Sequence, residues 1–198
     1  MKSLFAILTV AFLGLGTPAL GAQIGDDGLH KQPWFSTTFR DIAEDIETAE
    51  AEGKRLAMIF EQRGCIYCER LHETVLSDPE VAAYIQEHFI VVQYNMFGDE
   101  EVIDLDGREL TEKTAARAWS VVFTPTIMFL PETVPETVPE GMTAAQAAVA
   151  TMPGAFGKWT SLHMFQWVVE KGYETDEHFQ KYHARKLEEA RASGALVE

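Results

Sequence analysis

Both cysteines of the chain fall within ten residues, EQRGCIYCER at 61–70, directly behind the short run Arg55-Leu56-Ala57-Met58-Ile59-Phe60. That run, apolar after its first residue, suits a buried strand. Gly64 breaks the pattern, and from Cys65 the residues favour helix through about Val75. Strand, break, Cys-x-x-Cys and helix in this order leave few arrangements open. The strand must turn sharply into a helix that carries two thiols one turn apart. Cys65 then stands at the helix N-terminus, where unpaired backbone N–H groups and the helix dipole favour a thiolate. A thiolate is the attacking species in disulfide exchange. Cys68, one turn along, is less exposed and can attack a mixed disulfide formed on Cys65. The spacing is also compatible with half of a metal site.

The rest of the chain alternates between helix and strand patterns. Phe39, Ile42, Ala43 and Ile46 share a face of a helix expected to run to about Glu52, with Gly53 as its C-cap. Ser77-Asp78-Pro79-Glu80 starts another helix, with Val81, Tyr84, Ile85 and Phe89 inward. Phe89–Tyr94 reads as a strand, Asp106-Gly107 as a hairpin turn, and Thr111 as the cap of a helix through Trp119. Thr126–Leu130 is a third core strand and Val149–Met152 an edge strand. Ser161–Val169 is amphipathic, and a polar helix from Asp176 to about Ala192 follows. Trp119 and Trp167 occupy apolar helical positions and are read as core. The alternation indicates an α/β class with a mixed central sheet flanked by helices and an additional C-terminal helix. The repeat PETVPETVPE, within a low-complexity stretch at about 131–141, is expected to be an extended exposed loop, and Gln23–Ser36 a polar lead.

The first residues read as an export signal. Met1-Lys2-Ser3 is followed by the 12-residue apolar run Leu4–Leu15, then Thr17-Pro18 and small residues suited to cleavage after Gly21 or Ala22. Twelve residues are too few for the ~20 of a spanning helix. The division expected is a signal peptide at 1–22 and one domain at 23–198. No later segment is apolar enough to cross a membrane, so the mature form is expected to be free of membrane insertion. The formal charge of −15 disfavours nucleic acid and anionic membrane surfaces. Export places the cysteines in an oxidising compartment, the periplasm, where a disulfide persists. A loop this small removes little unfolded-state entropy, so the pair is placed for chemistry rather than as a staple.

The chain resembles the thioredoxin superfamily, on Phe60…Cys65-Ile66-Tyr67-Cys68 and on Phe123-Thr124-Pro125-Thr126. Within it the chain resembles the exported SoxW-type thioredoxins associated with sulfur oxidation, on FEQRGCIYCERLH, DLDGRELTEKTAARAW, FTPTIMFL and the later MPG, covering roughly residues 35–185. The resemblance implies a thiol–disulfide oxidoreductase with Cys65 as nucleophile and Cys68 as resolving thiol. It implies a cis Thr124-Pro125 bond and a partner groove formed by Thr124, Pro125, Ile66 and Tyr67. It implies a protein thiol or disulfide as substrate, an upstream membrane or periplasmic electron donor if the protein is a reductase, a monomer, and no cofactor. Two departures from cytosolic thioredoxin stand out. The dipeptide between the cysteines is Ile-Tyr, so the redox direction is open. Ile59 replaces the buried acid six residues before the first cysteine.

Glu61 is the nearest candidate proton acceptor; its other reading is an exposed residue at a strand end. Arg63 either supports the Cys65 thiolate or is merely solvated. His72 follows Cys68 by four residues on the same helical face. Cys65, Cys68 and His72 could therefore bind zinc or copper, making a metal carrier the alternative function. No fourth ligand has suitable spacing, so no metal site is assigned, and a half-buried histidine beside the cysteines is the simpler reading.

Overall fold

A computed structural model describes residues 23–194; the expected signal peptide lies outside the described residues. The first elements are a small hairpin of β1 (Gln23–Ile24) and β2 (His30–Lys31), then helix α1 (Ile42–Ala51). Strand β3 (Arg55–Glu61) leads into α2 (Ile66–Leu71), which continues as a wide π turn over His72–Leu76. Helix α3 (Pro79–His88), strand β4 (Phe89–Asn95), the hairpin β5 (Glu101–Ile103) and β6 (Glu109–Thr111), and helix α4 (Glu112–Ala118) follow. The chain then forms β7 (Thr126–Phe129), α5 (Ala144–Ala147), β8 (Ala150–Pro153), α6 (Lys158–Val169) and α7 (Phe179–Ala192).

The central sheet has the order β4-β3-β7-β8. β3 runs parallel to β4 and antiparallel to β7, and β7 runs antiparallel to β8. The expected mixed sheet flanked by helices, with a C-terminal helix, is therefore the observed one. Every residue of β3 is buried, as a central strand covered on both faces requires.

Side-chain alternation splits the core into two layers. Leu56, Met58 and Phe60 point with Ile90, Val92 and Tyr94 toward α1 and α4. Ala57 and Ile59 point with Phe89, Val91, Ile127 and Phe129 toward α2, α3 and α6. In that second layer Phe165 of α6 meets Phe89 and Phe129 edge-on, at centroid distances of 4.9 and 5.0 Å. Each buried ring of this kind contributes roughly 1.5–3 kcal/mol.

Five expectations change in detail. Helix α1 starts at Ile42, because the Asp41 side chain accepts from the N–H groups of Ala43 and Glu44 and so caps it. Phe39 lies before that cap and is 91% exposed, not inward. The helix after Cys65 widens into a π turn, in which Ser77 N–H reaches the carbonyl of His72 at 3.1 Å. The PETVPETVPE segment forms no helix or strand, yet Val134 and Val138 pack against the first core layer and Glu132 pairs with the buried Arg55 at 2.6 Å. Its four-residue period brings two valines inward, so the loop is tethered rather than wholly exposed. The N-terminal lead also packs: Leu29 and Gln32 are buried.

The C-terminal helix is held partly through two histidines. Nδ1 of His163 on α6 lies 2.7 Å from Nδ1 of His183 on α7. Burial first, and then the neighbouring His183, push His163 down to about 4 from 6.5. The folded value lies below the unfolded one, so the unfolded chain takes up the proton first as pH falls. Stability from this group is present above 6.5 and is lost as pH falls toward 4. Thermal melting is expected to drop over that window in the native chain and to drop less in His163→Phe. Parallel pH curves for the two would remove the histidine pair from the account.

Candidate functional site

The register of the sheet brings the sequence-predicted residues to one edge. Phe60 near the end of β3 pairs with Thr126 at the start of β7, and Thr126 pairs with Pro153 at the end of β8. The loop before β7 therefore meets the turn after β3. Gly64 makes that turn with φ of 71°, a left-handed conformation suited to glycine. Cys65 is the N-cap residue of α2. The Thr124–Pro125 peptide is cis.

Cys65 and Cys68 form a disulfide, with their Cα atoms 5.2 Å apart. The two sulfurs have different surroundings. The Cys68 N–H donates to Cys65 Sγ at 3.1 Å, and the Thr124 hydroxyl donates to it at 3.3 Å. The Thr124 carbonyl oxygen stands 3.6 Å from the same sulfur. Two donors aimed at Cys65 Sγ would hold a thiolate there once the disulfide is reduced. Cys65 is 7% exposed and Cys68 is 0% exposed. The outer sulfur is thus the one an incoming partner can reach.

Around Cys65 the surface is apolar. Ile66 and Tyr67 are 68% and 59% exposed, and Phe123 and Phe156 also face solvent. Phe156 belongs to this edge because Gly154 N–H bonds the Pro125 carbonyl at 2.7 Å. Arg63 is exposed and turns toward the Asp27 carbonyl, so it is occupied away from the cysteines.

Glu61 is fully buried, which overturns the reading of it as an exposed residue at a strand end. Alternation explains its direction. Residues 59 and 61 point to the same face of β3, so the carboxylate missing at Ile59 reappears one pleat further on, facing α2. Its Oε1 lies 2.7 Å from Nε2 of His72, and its Oε2 accepts from Nε2 of Gln93 at 2.8 Å. His72 is likewise fully buried, more so than the half-buried histidine expected. Its Nδ1 lies 3.3 Å from Nε2 of Gln32. Both ring nitrogens are therefore committed within the protein, and a metal set of Cys65, Cys68 and His72 would require these contacts to be given up.

Sequence reasoning missed Gln93, Gln32 and Lys31 as parts of this cluster. Gln93 carried a usable signal, being an amide between the apolar run Phe89–Val92 and Tyr94 of the strand FIVVQYN. A buried amide in such a strand needs polar partners. Gln32 and Lys31 gave no such signal, because they lie in a segment without apolar periodicity.

Comparison with known proteins places these features in a family. A family model described as a thioredoxin-like domain matches residues 42–150. No match was found among curated proteins. Among solved structures, the chain is similar to a thioredoxin-fold protein from Helicobacter pylori, with 20% identity, a TM-score of 0.56, and coverage of 78% of this chain and 92% of that one. It is also similar to a thioredoxin from Thermus thermophilus, with 24% identity, a TM-score of 0.49, and coverage of 67% and 86%. The mixed sheet, the Cys65–Cys68 disulfide at the start of α2 and the extent of the family match lead to one assignment: the chain belongs to the family of thioredoxin-like domains.

Proposed function

We propose that the protein is an exported thiol–disulfide oxidoreductase that reduces a protein partner in the periplasm, in a process linked to sulfur oxidation. The observation that carries the exchange reading is the Cys65–Cys68 disulfide whose outer sulfur receives two hydrogen bonds at an exposed apolar edge. The leader at 1–22, the SoxW-like motifs and the oxidising compartment they imply support the location and the sulfur link.

The cycle follows from the two sulfurs. The Cys65 thiolate attacks one sulfur of the partner's disulfide. A Cys65–partner bond forms, the partner's own S–S bond breaks, and the departing thiolate takes a proton from solvent. Cys68 then gives its proton to Glu61, and its thiolate attacks Cys65 Sγ. The intramolecular disulfide forms and the partner leaves as a thiolate that is protonated by solvent. Two electrons pass from the dithiol to the partner. An upstream dithiol donor restores Cys65 and Cys68. Ile66, Tyr67, Thr124 and Pro125 form the surface against which the partner segment lies. No cofactor enters these steps.

Equilibration with glutathione buffers tests the reading. The expected result is a reversible two-electron couple in metal-free protein, lost in Cys65→Ser. Potentials of Cys-x-x-Cys proteins run from roughly −270 to −120 mV, and a value near the reducing end would support the reductase direction. A pair that stays fully oxidised at every glutathione ratio, or one that cycles only with copper or zinc bound, would overturn it.

A further inference from the structure

We propose that Lys31, Gln32 and Gln93 are positioning residues of the exchange site: they fix the Glu61–His72 pair so that its carboxylate takes the proton of Cys68. The inference rests on the thiol-exchange reading. It extends the site to a segment preceding the matched residues 42–150.

The hydrogen bonds can be assigned from groups whose roles are fixed. The Lys31 ammonium only donates, and it stands 2.6 Å from Oε1 of Gln93. The other end of that amide must then be its NH₂. This group donates to the His30 carbonyl at 2.7 Å and to Glu61 Oε2 at 2.8 Å. On the opposite side, Gln32 Nε2 stands 3.2 Å from the His72 carbonyl, which only accepts, so this atom is also an NH₂. The same group lies 3.3 Å from Nδ1 of His72, which makes Nδ1 the acceptor. The ring hydrogen of neutral His72 is thereby assigned to Nε2, and it donates to Glu61 Oε1 at 2.7 Å.

Two donor chains converge, Lys31 to Gln93 to Glu61 and Gln32 to His72 to Glu61. The carboxylate is the acceptor on which both chains end, with a donor on each oxygen. His72 lies four residues beyond Cys68 on the same helix, a separation of about 5–6 Å between Cβ atoms. The His72 end of the pair is thus held one helical turn beyond the resolving cysteine, its N–H on the Cys68 carbonyl. A carboxylate free to rotate would lose the geometry that proton transfer needs. Charged and titratable groups around the pair are His30, its ring centroid 5.7 Å from that of His72, Lys31 through Gln93, Asp27 through its ion pair with Lys31, and Cys68 one helical turn before His72. β4 contributes the neutral Gln93.

The test uses the full reduced protein and the disulfide 5,5′-dithiobis(2-nitrobenzoate). Attack by Cys65 releases one thionitrobenzoate, and attack by Cys68 on the resulting mixed disulfide releases the second. Gln93→Met and Gln32→Met are expected to slow the second release about tenfold, less than the ~100-fold cost of losing a base outright. The first release is expected to be unchanged. Loss of a donor should also shift the pH dependence of the second phase toward higher pH. If the buried variants fail to fold, the half-exposed Lys31 supplies the test: Lys31→Met should reproduce the slowing and Lys31→Arg should rescue it. Folded variants whose second phase keeps its native rate and pH profile would overturn the inference while leaving the exchange reading intact. A native protein that releases a single equivalent would overturn the exchange reading, and the inference with it.

Discussion

Cys68→Ser is expected to accumulate a covalent adduct with an exported protein, where Cys65→Ser accumulates none. In the proposed cycle the mixed disulfide on Cys65 is short-lived, because the second sulfur lies one helical turn away and attacks it. Serine at 68 retains the backbone N–H that donates to Cys65 Sγ at 3.1 Å, and Thr124 still donates at 3.3 Å. The Cys65 thiolate therefore keeps its stabilisation and its partner surface, and only resolution is lost. Removing Cys65 leaves a thiol that is 0% exposed and lacks both donors. Both variants should be expressed from the full 198-residue sequence in the native host and run on non-reducing gels. A dominant reducible band confined to Cys68→Ser is the expected outcome, and mass spectrometry of that band would identify the partner. Equal adducts from both variants, or none from either, would contradict the assignment of nucleophile and resolver and would favour the metal-carrier alternative.

The parts of this architecture that were legible in the sequence are those written in local patterns. The run through Phe60 makes a central strand because only a strand buried on both faces tolerates so continuous an apolar stretch. Gly64 and the two cysteines follow from it, and the cap at Thr111 and the turn at Asp106-Gly107 are local chemistry. What escaped was set by distant contacts. Phe39 fits the apolar stripe of α1, but the cap at Asp41 starts the helix too late to include it. The valines of the repeat look solvated in isolation and become half-buried because the loop crosses the first core layer. Glu61 looks like a strand end until the pleat is followed. It then shares a face with Ile59, opposite α2, where His72 is waiting. Gln32 and Lys31 have no local pattern that could announce their role, since their partners lie 40 and 62 residues away.

Glu61→Gln is expected to slow resolution by about 100-fold while leaving the reactivity of Cys65 nearly native, the magnitude typical of losing a positioned base. The substitution preserves volume and removes two things. One is the negative charge, without which the group is no longer a base for the Cys68 proton. The other is the capacity to accept on both oxygens. Glutamine offers one carbonyl and one NH₂, whereas His72 Nε2–H and Gln93 Nε2–H both need an acceptor at this point. Turning the new carbonyl toward His72 sets its NH₂ against that of Gln93. Flipping Gln93 in response would set its own NH₂ against the Lys31 ammonium, 2.6 Å from the present oxygen. Each of these arrangements leaves one donor unsatisfied, at a cost of about 1–3 kcal/mol in stability. The two effects are measured separately, by thermal melting and by the second release of thionitrobenzoate. Alkylation of Cys65 with limiting iodoacetamide checks that the nucleophile is intact. A variant that melts early yet resolves at the native rate would confine Glu61 to holding β3, β4 and α2 together, and the acceptor of the Cys68 proton would have to be sought in solvent.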